Sequence, residues 1–176
     1  TQADRLVFLD ADTLVLGPLH PVWERRDEDF IGRETSICRR PGWDREGWNA
    51  LLDGMGARRS LYFNSGFVVF QNGSHRGLAD SWKEITEGGR SRELFDPTRF
   101  HKKGNVNQIA LSLAVASAGL TTHEMEPREH AYGWDGDSWR DALLFHVGGR
   151  GYFAKARRIL RSRGQRFRSP LRDRSR

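Results

Sequence analysis

Residues 5–12 read Arg-Leu-Val-Phe-Leu-Asp-Ala-Asp, an apolar run that passes directly into two carboxylates. A short continuous apolar run is the pattern of a strand buried on both faces, as in parallel sheets. In open α/β sheets, ligands gather at the carboxyl ends of strands. Residues i and i+2 of an extended chain point to the same side, so Asp10 and Asp12 can converge on one object. Two adjacent carboxylates repel unless a proton or a cation lies between them. A hard divalent cation, which prefers oxygen ligands, is the natural occupant; a simple strand-ending turn is the plainer alternative.

The rest of the chain alternates short apolar runs with helical patterns. Gly17-Pro18 and His20-Pro21 mark a turn, followed by a packed Val22-Trp23. Strands are expected over residues 29–32, over 62–70 with an interruption at Asn64-Ser65-Gly66, at an edge over 121–125, and over 143–147, ending at His146. A helix is expected over 76–86, stopped by Gly88-Gly89. Asn105 reads as the N-cap of another, with Val106, Ile109, Leu113 and Ala116 forming one apolar stripe and Gly119 at its end. Residues 152–163 read as a basic helix. Residues 37–56, with Pro41, Gly42, Gly47 and Gly54, read as irregular. Their Trp43 and Trp48 could stack on sugar rings, although plugging that segment onto the core is the more ordinary role. Asn72-Gly73-Ser74 matches a glycosylation sequon and reads as a turn. The alternation predicts an α/β fold with a mixed sheet.

Residues 7–19, Val-Phe-Leu-Asp-Ala-Asp-Thr-Leu-Val-Leu-Gly-Pro-Leu, resemble the metal-binding segment of GT-A-fold glycosyltransferases, especially the glycogenin-like family 8 group. Three later segments are similar to that group in the same order: Tyr-Phe-Asn-Ser-Gly-Phe-Val-Val-Phe at 62–70, Asn107-Gln108 opening a helix, and Phe145-His146-Val147-Gly148-Gly149. Together they cover most of residues 5–150. The resemblance implies a GT-A (nucleotide-diphospho-sugar transferase) fold. It also implies metal-dependent sugar transfer, with retention, from a nucleotide-diphosphate donor, UDP-sugar favoured, to a carbohydrate or other hydroxyl acceptor. It makes His146 the third metal ligand beside Asp10 and Asp12. Asn64 and Ser65, with Gly66, would meet sugar hydroxyls near the donor–acceptor junction. Gln108 and Asn107 would occupy the catalytic positions.

Two departures stand out. The family usually shows Asp where this chain has Asn107, which can neither act as a base nor carry charge. The Lys-Pro-Trp that usually follows the His-x-x-Gly segment is missing. Tyr152 stands at the spacing of that lysine; Arg150 or Lys155 could replace its positive charge at the diphosphate, and Gly149 allows close backbone approach to a phosphate. The family also places a nucleotide-binding strand–helix region before the Asp-x-Asp strand. Residues 1–154 are therefore expected to be the C-terminal part of a catalytic domain, binding a sugar nucleotide weakly alone, with 155–176 a basic helix and tail.

The chemistry is coherent with these residue types. When a sugar nucleotide breaks at its anomeric carbon, the leaving diphosphate gathers negative charge, which a bridging divalent cation stabilises as a Lewis acid. Carboxylates with an imidazole suit Mn²⁺, and Mg²⁺ less naturally.

The formal charge of +6 belongs to the end of the chain. Residues 155–176 hold ten Lys/Arg and one acid, Asp173, and the rest holds 19 basic against 22 acidic residues, a balance of −3. A basic tail can bind phosphate-rich partners, but no helix-turn-helix, zinc finger or aromatic-interleaved strand supports a nucleic-acid module. Cys38 is the single cysteine, so no internal disulfide or Cys-based zinc site can form, which fits a reducing, cytoplasmic setting. No apolar stretch reaches the ~20 residues of a membrane span. A competing enzyme class is the haloacid dehalogenase-like phosphatases, with Asp10 as nucleophile and residues 136–141 matching a Gly-Asp-x-x-x-Asp spacing. Against it, the usual Gly after the second Asp is absent, and residues 129–134 do not read as the apolar strand that motif follows.

Overall fold

In the computed structural model, residues 3–24, 26–39, 42–92, 106–132, 140–147, 152–162 and 164 are described, with the backbone alone at 89–92, 152, 153 and 155. The strands are β1 (Leu6–Leu9), β2 (Thr13–Val15), β3 (Phe30–Glu34), β4 (Phe63–Phe70), β5 (Thr122–Glu124), β6 (His130–Tyr132) and β7 (Leu144–His146). The helices are α1 (Arg45–Gly54), α2 (His75–Arg92), α3 (Val106–Ser117) and α4 (Tyr152–Ser162). The chain divides into two compact units, Thr1–Asp10 with His20–Glu126, and Ala11–Leu19 with Pro127–Arg176.

The larger unit is organised by β4, whose β-branched and aromatic residues suit a pleated surface covered on both sides. The sheet order is β1-β4-β3-β5, with β4 antiparallel to β1 and β3, and β3 parallel to β5. The sheet is mixed, as the sequence pattern requires. β1 departs from expectation: it pairs antiparallel, at the edge of the sheet among the described residues, with Phe8 and Leu9 38% and 40% exposed. An apolar run shows that a strand can be covered and cannot by itself say on how many faces.

Phe30, Phe63, Val68 and Phe70 pack with Leu78 of α2 and Leu111, Ala114 and Val115 of α3. On the other side of α3, Ile109, Leu113 and Ala116 pack with Trp48 and Leu52 of α1 and with Tyr62. α3 is thus buried on nearly every side from Ile109 to Ala116, not along one stripe. The reason is α1, which lies where irregular chain was expected. Asp44 caps it by accepting from the Gly47 N–H at 2.7 Å, and Trp48 and Leu52 fix its inner face. The two tryptophans serve packing: Trp48 is buried, and Trp43 stacks on Tyr62 with ring centroids 5.4 Å apart. α2 runs through Gly88-Gly89 to Arg92, where a stop was expected. Each helical Gly costs only about 1 kcal/mol, and Trp82 and Ile85 anchor the preceding turns in the core.

In the smaller unit the sheet order is β2-β7-β6, antiparallel then parallel. Leu14, Phe145 and Ala131 pair across the three strands and pack with Leu16, Val147 and, from α4, Ile159 and Leu160. Residues 130–132 form a buried strand where none was expected. The alternation His130-Ala131-Tyr132 carries the period of two, with small Ala131 on the core face. Asn72, φ 55°, and Gly73, φ 70°, make the expected turn after β4.

Candidate functional site

The period of two in the smaller sheet also fixes its opposite face. Thr13, His146 and Tyr132 stand in register there, with His130 two residues along β6. His146 ends β7, and the next residue's N–H bonds to the Asp12 carbonyl at 3.0 Å, which ties the start of β2 to the end of β7. The side chains converge accordingly: His146 Nε2 lies 3.2 Å from Asp12 Oδ1. The His146 side chain is 12% exposed and that of Asp12 37%, so the pair is reachable from solvent on the carboxylate side. Buried His146 Nδ1 has no hydrogen-bond partner among the described residues.

Asp10 precedes Asp12 by two peptide bonds, at the end of β1. One ligand atom from each of Asp10, Asp12 and His146 lies within 4.8 Å of the others. Two carboxylate oxygens and an imidazole nitrogen at this spacing form a candidate metal group. The donor set suits a divalent cation that accepts both oxygen and nitrogen, and a site with three protein ligands leaves coordination positions for a substrate.

The Asn64-Ser65-Gly66 interruption is a bulge. β3 and β4 lose register between Gly32/Val68 and Glu34/Phe63, and the extra residues of β4 fall in that gap. Asn64 is buried, and its Oδ1 accepts from the Gly66 N–H at 2.8 Å, holding the bulge in shape. The Gly66 carbonyl accepts from the Asp10 N–H at 2.8 Å. The bulge and the first carboxylate are therefore neighbours through a backbone hydrogen bond.

Asn107 and Gln108 lie in the first turn of α3, as expected. Asn107 is exposed, with its carbonyl accepting from Trp82 Nε1 at 3.0 Å. Gln108 is half-buried, and its Oε1 has no hydrogen-bond partner among the described residues. Ser112 Oγ donates to the Gln108 carbonyl at 2.8 Å and accepts from the Phe63 N–H at 2.9 Å, which links this turn to the start of β4. Gly149 and Arg150 lie outside the described residues, and Lys155 is located only by the backbone of α4.

The rings of His130 and Tyr132, which sequence reasoning did not single out, flank His146. Their spacing of two beside a small residue was the available signal. Burial, reinforced by Glu34, raises the thiol pKa of Cys38, which disfavours its thiolate. Among the described residues no helix is long and apolar enough to cross a membrane.

No protein-family model matches the chain, and no curated protein matches its sequence. In structure it is similar to the galactosyltransferase LgtC, solved in complex with donor and acceptor sugar analogs. That alignment has a TM-score of 0.58 and 19% identity, and covers 97% of this chain and 64% of LgtC. Mouse xyloside xylosyltransferase 1 in its apo form aligns with a TM-score of 0.46 and 13% identity, over 84% of this chain and 59% of that protein. The chain thus spans less than two thirds of the length of either. Its fold is that of the GT-A glycosyltransferases, α/β with mixed sheets flanked by helices.

Proposed function

We propose that this chain carries the metal and acceptor side of a family 8-like glycosyltransferase. The reaction moves a sugar, with retention, from a UDP-sugar to a carbohydrate or other hydroxyl acceptor. The observation that carries this reading is the grouping of Asp10, Asp12 and His146 in a chain whose fold is GT-A. In this reading the three residues hold Mn²⁺, or Mg²⁺ with less preference. A cation bound there would supply Lewis-acid charge opposite the leaving diphosphate.

The chain's own residues bind and orient. Asn64 has its Oδ1 engaged by Gly66, so what it offers a sugar hydroxyl is the Nδ2 donor, with Ser65 beside it. Gln108 Oε1, buried without a partner among the described residues, is suited to accept a hydrogen bond from the donor sugar. Asn107 can orient a hydroxyl but cannot take its proton, so no general-base role is assigned to it. Arg150 or Lys155 is proposed to supply the positive charge for the diphosphate. The single cysteine is in keeping with a cytoplasmic setting. The phosphatase and phosphate-binding alternatives lack support comparable to the fold match and the Asp-Asp-His group.

The test is release of nucleotide from a panel of sugar nucleotides in the presence of Mn²⁺ and candidate acceptors. UDP release that stops with EDTA and in Asp12→Asn is expected. UDP release unaffected by EDTA and by Asp12→Asn would contradict the proposal.

A further inference from the structure

His146 is the member of the metal group whose aim depends most on its surroundings. An imidazole must present one nitrogen along a narrow direction, whereas a carboxylate offers two oxygens and several lone pairs. Metal-bound histidines commonly have the second ring nitrogen fixed by a hydrogen bond. Here Nδ1 has no such partner among the described residues, yet Nε2 is aimed at Asp12 Oδ1 across 3.2 Å. Among the described residues, then, the ring is held by what packs against it.

Two aromatic neighbours meet that need. The His130 ring lies parallel to the His146 ring, 7° between planes and 5.8 Å between centroids. Tyr132, paired in register with His146, sits 5.9 Å from it at 46° and 4.7 Å from His130 at 53°. All three rings are thus mutual neighbours on one face of the three-stranded sheet. His130 is fully buried and Tyr132 nearly so, which gives them little freedom to change rotamer. A χ2 rotation that tilted the His146 ring out of its present plane would break this stack.

We infer that His130, with Tyr132 beside it, is a positioning residue for the metal centre: its flat ring holds the imidazole plane of His146 so that Nε2 faces the cation. The inference rests on the metal-site reading above and adds to it the source of preorganisation. The property required of residue 130 is planarity, not its nitrogens or its charge.

The experiment compares Mn²⁺ affinity, read from the electron paramagnetic resonance signal of free Mn²⁺, in wild type, His130→Phe, His130→Leu and Asp12→Asn. Thermal melting and the aromatic NMR shifts of His146 are followed in the metal-free proteins. Phe and Leu both fill the space, so folding is kept apart from ring geometry. His130→Phe should bind Mn²⁺ like wild type. His130→Leu should bind about tenfold more weakly, the scale seen when groups supporting a metal ligand are lost, with the His146 ring resonances displaced. Equal affinity in His130→Leu and wild type would overturn the inference, as would equal losses in Phe and Leu. If the Leu variant does not fold, displaced His146 resonances in a folded His130→Phe count against it equally. Failure of the metal-site reading has a different signature: wild type and Asp12→Asn would bind Mn²⁺ alike, and the inference would fall with it.

Discussion

The two units of this chain differ in what holds them together. The larger unit stacks aromatic residues of β3 and β4 against two long helices, and its Phe30 ring meets Phe63 at 4.8 Å and Phe70 at 5.3 Å. Among the described residues, the smaller unit rests on three strands of three residues each and one helix, with a core of Leu16, Ala131, Ala142, Phe145, Val147 and Ile159. Yet it is the smaller unit that holds Asp12 and His146, at the end of its central strand. Short strands with a modest core can still aim two side chains at one point, because backbone pairing fixes the register on which their direction depends.

The comparison predicts unequal responses to damage. Phe30→Ala removes a fully buried ring at the centre of the larger unit and should cost about 3–5 kcal/mol, measured by denaturant unfolding. Ile159→Ala in the smaller core should cost about 2 kcal/mol. A loss as large as that for Phe30→Ala would erase the distinction between the cores. Asn64→Ala probes a polar contact of the larger unit. It leaves the Gly66 N–H of the bulge without its acceptor and should cost about 1–2 kcal/mol, measured by denaturant unfolding.

The smallest effect concerns Asp29, which ties the sheet ends of the larger unit. Its carboxylate accepts from the Thr121 N–H and hydroxyl and from Asn72 Nδ2. Desolvation raises its pKa, but the hydrogen bonds from Asn72 and Thr121 outweigh that and set it below the usual value. A carboxyl lowered in the folded state stabilises above its unfolded pKa of about 3.9, and that stability is lost as the pH falls through the folded value. Melting temperature should therefore fall below about pH 4, less steeply in Asp29→Asn. Identical acid profiles would count against this clasp.

What could be read in advance follows from the range of the interactions involved. The bulge at 64–66, the first turn of α3 and the strand ending at His146 all announce themselves by local pattern, and each lies where expected. β1 reads as doubly covered because an apolar run records what a strand tolerates, while its edge position depends on pairing with β4, far along the chain. α1 was hidden by Gly47 and Gly54, which mask a helix whose stability comes from Trp48 and Leu52 docking on α3. β6 was hidden because His and Tyr do not score as apolar, although their alternation about Ala131 is a strand pattern. The alternation about Ala131 could mark His130 as lying on the sheet face opposite Ala131, but not that it meets His146, which lies on another strand.

In the proposed reading, Asp10, Asp12 and His146 together hold one divalent cation. Isothermal titration of Mn²⁺ into the wild-type chain and into Asp12→Asn and His146→Ala tests it most directly. One saturable site is expected in wild type, lost in Asp12→Asn and weakened at least tenfold in His146→Ala, with all three proteins folded. Equal Mn²⁺ affinity in the three would contradict it.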